Sequence, residues 1–257
     1  MKKIIPYFVV LFLLLTSQPI WASAEQSASP SAIENNLAHF PKGGIPVLMY
    51  HSIGIMYDRS ICVSEKLFKE QMEWLHENNF HTVNVDEFYE ALSGKSALPD
   101  NPILITFDDG FGDNYKVAWP ILKQYGFNAT FFIVTSQVNP YNIDWDQLKE
   151  LVEHGNSIGS HSVNHYDLST LNTKQQEKEL RKSKEMLEEK LDTSIKAFCF
   201  PYGSYNKTTL ALLPESGYLL SFTTTSGKVH FGDNEYLLKR VHICGGMPLS
   251  SFIKKIT

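Results

Sequence analysis

Cysteine is scarce in this sequence, which holds three in 257 residues: Cys62, Cys199 and Cys244. Their spacing matches no zinc knuckle, which excludes a metal site built from paired cysteines. In an oxidising compartment one pair could form a disulfide and leave the third thiol free. Three buried thiols that pack as small hydrophobic groups are an equally good interpretation. The chain is long enough to bury a large core without disulfide cross-links.

Basic residues are too few to give a positive surface, because 23 Lys and Arg stand against 28 Asp and Glu, for a formal charge of −5. Residues 1–24 contain two lysines and no acidic residue, so loss of this segment takes the charge to −7. A negative protein is a poor partner for nucleic acid or anionic lipid. We therefore expect no nucleic-acid partner and a neutral or cationic substrate. The expected assembly is a monomer.

The sequence also lacks an apolar run long enough to span a bilayer, which takes roughly 20 residues. The apolar run of residues 4–15 lies between Lys2-Lys3 and the small residues Ala22-Ser23-Ala24. This order predicts a secretory signal peptide over residues 1–24, with an uncleaved membrane anchor as the alternative. The residue directly after the cleavage site is Glu25 and not a cysteine, which argues against a lipoprotein. The expected location is extracellular, free or associated with the cell wall.

Residues 25–43 are rich in Ser, Ala, Asn, Pro and Gly and predict a flexible tether, followed by one domain over residues 44–257. Within that domain, short apolar segments alternate with helical patterns, which predicts a parallel sheet covered by helices on both faces. The number and length of the strands favour an α/β fold of the distorted or incomplete (β/α) barrel type over an open sheet. The predicted strands are 47–50, 103–107, 130–134, 158–160, 197–200, 219–223 and 237–241, and the predicted helices follow Ser64 and cover 118–125, 145–154 and 173–191.

Two adjacent carboxylates, Asp108 and Asp109, directly follow the strand of residues 103–107 in "ILITFDDGFGDNY". Adjacent carboxylates repel each other, so such a pair needs a cation or a function that offsets the cost. Successive residues that leave a strand point in different directions. One carboxylate can therefore bind a metal while the other faces water or substrate. The alternative is a turn that caps the next helix.

Three further strand ends carry residues that suit a catalytic site. His161 and His165, in "GSHSVNH", could bind one ion from a single helical turn, although this spacing is common by accident. The turn at Tyr202, in "FCFPYGSYN", could aim backbone N–H groups at a developing oxyanion, or it is an ordinary loop. His51, in "GIPVLMYHSIG", is by itself better explained as a core histidine.

The topology makes these motifs more informative together than alone. Each follows a predicted core strand, and barrels and doubly wound sheets build their sites at the carboxyl ends of their strands. Asp109, His161 and His165 give one carboxylate and two imidazoles, a set that suits a catalytic divalent ion with positions left open for water. Asp108 then remains as a base.

The segments "TFDDG", "HSVNH" and "FPYG", in this order and at these intervals, resemble the polysaccharide deacetylase family (carbohydrate esterase family 4, the NodB homology domain) over about residues 45–257. The opening "VLMYHSIG", the helix after Ser64 and "NFHTVNVDEF" resemble the branch that acts on poly-N-acetylglucosamine, in which the motif order is partly permuted. The resemblance implies a distorted (β/α) barrel that hydrolyses N-acetyl groups of N-acetylglucosamine units.

The same resemblance implies roles for individual residues. Asp109, His161 and His165 would bind the metal, with Zn²⁺ as the default and Co²⁺, Ni²⁺ or Fe²⁺ as other ions that fit. Asp108 would be the general base. The backbone N–H of Tyr202 would help to hold the oxyanion. Trp145, in "IDWDQL", would form a wall of the site, and Trp145 and Tyr202 would contact the substrate.

Two departures from the family pattern leave roles open. The family's third motif carries an arginine before its Pro-Tyr, where this chain has Cys199 and Phe200. Arg240, in "LLKRVHI", is our candidate for the missing arginine that holds the base, with a surface arginine as an equal alternative. The catalytic histidine of the usual C-terminal motif is either His51 or His242, and the permuted branch favours His51.

These expectations describe a secreted, metal-dependent hydrolase that removes N-acetyl groups from poly-N-acetylglucosamine, peptidoglycan or chitin fragments. The alternatives are a weakly active homologue that binds wall glycans and an esterase for O-acetyl groups. We find no separate carbohydrate-binding module, so the glycan must contact loops at the rim of the barrel. The loop of residues 136–144 is the expected one.

Overall fold

Seven parallel strands close into a ring in the computed structural model, which describes residues 40–54, 58 and 60–257. The ring runs β1, β10, β9, β8, β7, β6, β5 and back to β1. Within the described residues the strands are β1 (Val47–Tyr50), β2 (Ser52–Ile53), β3 (Cys62–Val63), β4 (His81–Thr82), β5 (Pro102–Phe107), β6 (Thr130–Ile133), β7 (Ser157–Ser160), β8 (Ala197–Cys199), β9 (Leu220–Ser226) and β10 (Leu238–His242). The predicted barrel is therefore confirmed, with β4 added beside the start of β5 and β2 paired with β3 outside the ring.

Helices cover the ring, and four of the seven in the described part lie where the sequence pattern predicts them. Ser64 caps the first, its hydroxyl accepting a hydrogen bond from the N–H of Leu67 at 3.3 Å. Asn84, Asp144, Asn172 and Asn206 each begin a helix with a capping box, in which two otherwise unpaired N–H groups are satisfied. The helices of the described part are α1 (Glu65–Glu77), α2 (Val85–Leu92), α3 (Trp119–Gln124), α4 (Trp145–Glu153), α5 (Thr173–Leu191), α6 (Lys207–Glu215) and α7 (Leu249–Ile256).

The inside of the ring is filled by every second residue of the strands, as the two-residue side-chain period requires. Helix α2 packs against this inner cluster, and the rings of Phe88 and Phe222 lie 6.2 Å apart. The inner residues of the strands are Val47, Leu104, Phe132, Ala197, Cys199, Leu220, Phe222 and Leu238. The same alternation places three polar residues on the inner side at the carboxyl ends of the strands. His51 lies four residues after Val47, Asp108 four after Leu104 and Arg240 two after Leu238. These three side chains therefore face one another.

The predicted signal peptide of residues 1–24 and residues 25–39 of the predicted tether lie outside the described residues. Of the remaining tether, Phe40 is buried, and its ring lies 5.9 Å from that of Phe231. No helix in the described ranges combines the length and apolar character needed to cross a bilayer.

Candidate active site

Asp108 lies one residue past β5 and is buried against Arg240 of β10. Arg240 donates two hydrogen bonds to this carboxylate, from Nη1 to Oδ1 at 2.8 Å and from Nη2 to Oδ2 at 2.7 Å. Burial alone would raise the pKa of Asp108, but the charge and hydrogen bonds of Arg240 outweigh it, and the pKa falls to about 2. Asp108 is thus kept ionised although it is buried from solvent.

Arg240 is itself fully buried, and its guanidinium donates hydrogen bonds to residues of neighbouring strands as well as to Asp108. Its Nε donates to the carbonyl oxygen of Thr223 at 2.9 Å, and Nη1 also donates to the hydroxyl of Thr106 at 3.1 Å. The Sγ atom of Cys199 lies 3.1 Å from Nη2 and 3.5 Å from the Asp108 carboxylate. The structure thus places Arg240, from another strand, beside Asp108, with Cys199 in contact with both.

Asp109, His161 and His165 converge on a single point. The Oδ1 atom of Asp109 lies 3.4 Å from Nε2 of His161 and 3.3 Å from Nε2 of His165, and the two Nε2 atoms are 3.2 Å apart. Ligands about 2.05 Å from a tetrahedral zinc ion are about 3.3 Å from one another, which is the spacing of these three atoms. The geometry therefore fits one small divalent ion with a further position open.

Hydrogen bonding around these residues also suits a cation. The Nδ1 atom of His161 lies 2.7 Å from the carbonyl oxygen of Cys199, an acceptor, so Nδ1 carries the proton and Nε2 offers a lone pair. Among the described residues, Oδ1 of Asp109 is buried without a hydrogen-bond donor in good geometry. A carboxylate oxygen and an imidazole lone pair facing one point at such distances match the donor set of a metal site.

The two histidines reach this point from a loop, not from the single helical turn that the spacing predicted. His161 follows β7 directly, and the chain then reverses through Ser162, with φ of 68°, to His165, with φ of 57°. Asp109 also has a positive φ, 73°. Left-handed backbone at such residues persists only where the surroundings hold it in place, and it is frequent at functional sites.

His51 faces Asp108 across the top of the barrel, with its Nε2 atom 3.9 Å from Oδ2 of that residue. The parallel register of β1 and β5 pairs Tyr50 with Phe107, so the next residues, His51 and Asp108, lie at one level. The side-chain amide of Asn114 donates to the carbonyl oxygen of His51 at 2.6 Å and anchors its backbone. Burial lowers the pKa of His51, although Asp108 and Asp109 oppose this.

His242 is turned to a different partner. Its Nε2 atom lies 3.0 Å from the carbonyl oxygen of Ser60, and its ring centroid is 6.3 Å from that of His51. Of the two histidines, His51 is therefore the one for which a contact with the Asp108 carboxylate is seen.

The turn at residues 201–203 puts Tyr202 beside the histidines. Its exposed ring packs edge-on against His165, with centroids 4.6 Å apart, and its φ is 58°. The hydrogen bonds of this turn are donated by the N–H groups of Gly203 and Ser204, not by that of Tyr202. Gly203 has a φ of 71°, and a Cβ added there would lie 2.1 Å from the hydroxyl oxygen of Thr224. Glycine is therefore required for this turn.

Trp145 begins helix α4 and is partly buried against the outer core. The loop before it reaches the site, since the N–H of Ile143 donates to the carbonyl oxygen of Gly110 at 3.1 Å. The same loop carries Tyr141, whose side chain is 93% exposed. No described hydrogen bond or ring contact joins Trp145 to the three converging residues.

Asn114, Thr106 and Thr223 were not singled out by the sequence. Each is a common polar residue whose importance comes from a distant partner, so a single sequence gives little signal for it. Thr106 could have been noticed because it is a polar residue at an inner position of a predicted strand, where it needs a hydrogen-bond partner.

Comparison with known proteins identifies the family. The family model described as polysaccharide deacetylase matches residues 95–220. YxkH of Bacillus subtilis (strain 168), assigned by name to the polysaccharide deacetylases, is 35% identical over 209 residues, which are 81% of this chain and 74% of that protein. This chain belongs to the polysaccharide deacetylase family. The predicted resemblance is thereby confirmed, and the chain is a hydrolytic deacetylase.

Relatives within the polysaccharide deacetylases include enzymes with a named glycan. A poly-β-1,6-N-acetyl-D-glucosamine N-deacetylase of Staphylococcus aureus (strain N315) is 29% identical over 201 residues, which are 72% of this chain and 69% of that enzyme. Among solved structures, the deacetylase PplD of Streptococcus pyogenes in complex with acetate has a TM-score of 0.79 at 31% identity, covering 83% of this chain and 98% of that one. IcaB from Ammonifex degensii has a TM-score of 0.75 at 26% identity, covering 85% and 99%.

Proposed function

We propose that this polysaccharide deacetylase is exported and uses a divalent metal ion to remove N-acetyl groups from N-acetylglucosamine glycans, with poly-β-1,6-N-acetylglucosamine as the first candidate. The observation that carries the proposal is the convergence of Asp109, His161 and His165 beside the buried Asp108 and His51. The S. aureus relative named for this glycan supports the choice of substrate. Peptidoglycan and chitin fragments offer the same acetamide and are the alternatives.

Asp109, His161 and His165 would hold the ion, with Zn²⁺ as the default. When bound, a divalent ion supplies Lewis-acid polarisation of the acetamide carbonyl and a water that is acidic near neutral pH. The tautomer fixed by the Cys199 carbonyl would leave the Nε2 lone pair of His161 free to bind the ion. These residues thereby set where the acetamide carbonyl must lie.

Asp108 is the proposed base. It is ionised at neutral pH, since Arg240, with smaller contributions from His161 and His51, lowers its pKa to about 2. Its carboxylate lies near His161, one of the proposed ligands. Asp108 would take a proton from water as the water oxygen bonds to the carbonyl carbon. The N–H of Tyr202 would donate to the oxygen on which negative charge develops, a role suited to a backbone donor already held in position.

His51 is the proposed acid for the second half of the reaction. When the carbon–nitrogen bond breaks, the glucosamine nitrogen must gain a proton. Because burial lowers the pKa of His51, we expect its ring to be largely neutral at rest. The proton that Asp108 takes from water can then be passed to Nε2 of His51, 3.9 Å from Oδ2, and from there to the amine.

Acetate release tests the proposal. The purified enzyme, stripped of metal and then restored with Zn²⁺, Co²⁺, Ni²⁺ or Fe²⁺, would be supplied with poly-N-acetylglucosamine, peptidoglycan and chito-oligosaccharides. Asp108→Asn should retain bound metal and lose a factor of ~10²–10⁴ in rate, the usual range for a general base. His161→Ala should lose metal and activity together. Metal-independent acetate release, or full metal content in His161→Ala, would refute the metal site.

Export is tested separately. The predicted signal peptide implies that the mature protein begins at Glu25, which N-terminal sequencing of the extracellular protein would check. An O-acetyl esterase remains an alternative that acetylxylan would detect in the same assay. The glycan-binding alternative depended on Arg240 lying far from Asp108, whereas the two residues are in contact.

A further inference from the structure

Glu179 is a buried carboxylate that has no part in the proposed chemistry. It lies on the inner side of helix α5 and is 4% exposed. A buried carboxylate is retained only when hydrogen bonds or charges compensate its loss of water. Its partners therefore indicate what it does.

Those partners are all in the short segment between the two histidines of the proposed metal site. One oxygen, Oε2, accepts hydrogen bonds from the N–H groups of Val163 at 2.9 Å and Asn164 at 2.8 Å. The other, Oε1, accepts from the side-chain amide of Asn164 at 2.7 Å. A single side chain thus satisfies two successive backbone donors of the segment that joins His161 to His165.

The backbone of this segment needs such support, because Ser162 and His165 both have positive φ. Its other hydrogen bonds hold the segment from different sides. The carbonyl oxygens of Ser162 and Val163 accept from Thr135 and Ser136 at 3.2 and 3.0 Å, and the Ser162 hydroxyl accepts from the N–H of His165 at 2.9 Å. Glu179 is the contact that comes from helix α5.

We propose that Glu179 is a positioning residue that holds the 161–165 segment in the conformation in which His161 and His165 share one metal ion. The inference rests on the proposed metal site. Without the carboxylate, the two backbone N–H groups would seek other acceptors, and the segment would relax away from its positive φ angles. The Nε2 atom of His165, at the end of the segment, would then leave its place 3.3 Å from Asp109.

The test measures metal binding in two ways. Zn²⁺ affinity is measured by competition between the protein and a chromophoric chelator, and Co²⁺ binding is followed by the visible spectrum of the bound ion. Glu179→Met keeps the length of the side chain but offers no comparable acceptor. Glu179→Gln keeps an oxygen for the two backbone N–H groups, and its amide can donate to the Asn164 side chain once that amide is flipped. The matched control is Glu189→Met, since Glu189 is exposed on the same helix.

We expect Glu179→Met to bind Zn²⁺ roughly 10–100-fold more weakly, the usual effect of losing a partner behind metal ligands, and to change the Co²⁺ spectrum. Glu179→Gln and Glu189→Met should bind as the unmodified protein does. If Glu179→Met does not fold, as judged by thermal unfolding in chelator, Glu179→Asp takes its place, because it keeps the charge but is one methylene too short to reach both N–H groups.

If folded Glu179→Met has the same Zn²⁺ affinity and the same Co²⁺ spectrum as the unmodified protein, the inference is overturned while the proposed metal site stands. An equal loss of Zn²⁺ affinity in Glu179→Gln and Glu179→Met would also overturn the inference, because the effect would then not depend on a hydrogen-bond acceptor at position 179. An unmodified protein that binds neither ion would overturn the proposed function itself, and this inference with it.

Discussion

Replacing Arg240 with methionine is expected to destabilise the folded protein by about 3–5 kcal/mol at pH 7, the usual cost of removing one partner of a buried ion pair. Arg240 and Asp108 are both buried, and two hydrogen bonds of 2.7 and 2.8 Å join them. The change in the pKa of Asp108, from 3.8 to about 2, corresponds to roughly 2–3 kcal/mol of net stabilisation, at about 1.4 kcal/mol for each pH unit. The substitution removes this stabilisation. The cost of taking the Asp108 carboxylate out of water is then no longer offset by Arg240.

The pH dependence has a definite sign. In the unmodified protein the pKa of Asp108 is lowered on folding, so its stabilisation is fully present above about pH 4 and is lost as the pH falls toward 2. Without Arg240, burial is the largest influence and raises the pKa of Asp108, opposed by His161 and His51 but no longer by a guanidinium. The ionised carboxylate then destabilises the variant most at neutral pH. The difference in stability between the two proteins should therefore shrink as the pH falls from 7 to 4.

Urea unfolding in the presence of a chelator, at pH 7 and at pH 4, measures this difference without a contribution from bound metal. Arg181→Met is the matched control, because Arg181 pairs with Glu177 on the surface of α5. That pair should contribute at most ~1 kcal/mol. A loss of less than 1 kcal/mol in Arg240→Met at pH 7, or a loss that is equal at the two pH values, would refute the reasoning.

Three further predictions concern the proposed site, two tested by the kinetics of acetate release and one by thermal unfolding. His51→Ala should lower kcat by ~10²–10⁴, as expected for loss of an acid, whereas His242→Ala should lower it less than tenfold; the reverse order would assign the acid to His242. Asn114→Ala, which frees the backbone of His51, should lower kcat with little effect on KM, and an unchanged kcat would show that this anchor is dispensable. Gly203→Ala should destabilise the protein by ~1–3 kcal/mol in thermal unfolding because of strain at positive φ, whereas Gly246→Ala, with open space around it, should be within ~1 kcal/mol of the unmodified protein.

The sequence was sufficient to predict the strands of the ring and the edge at which the site lies. Apolar segments such as residues 103–107 specify buried strands, and parallel strands bring their carboxyl ends together. Because Asp109 and His161 each follow such a strand, their meeting could be expected from order alone. Strands of two residues, such as β2 and β3, and the helices of eight or nine residues, α2, α6 and α7, were missed, because such short segments show no clear period.

The contacts behind the motifs were harder to predict, because they depend on register and on which strands are neighbours. Arg240 and Asp108 are separated by 132 residues, and they meet because ring closure places β10 beside β1 and β1 beside β5. His51 and His242 both end apolar strands, and only the register, which sets His51 level with Asp108, distinguishes them. Glu179 looks in the sequence like any other acidic residue of a solvated helix.

Arg240 nevertheless shows which signal in the sequence could have been used further. It occupies an inner position of β10, two residues after Leu238, which belongs to the inner cluster. An arginine that faces the inside of a closed barrel must be paired, because it cannot lose its proton and an unpaired buried charge is strongly destabilising. On β1 and β5, the inner positions at the carboxyl ends are His51 and Asp108, and only the latter is an anion. Once the barrel is accepted, the alternation of side chains along β10 therefore favours the Arg240–Asp108 pair over a surface arginine.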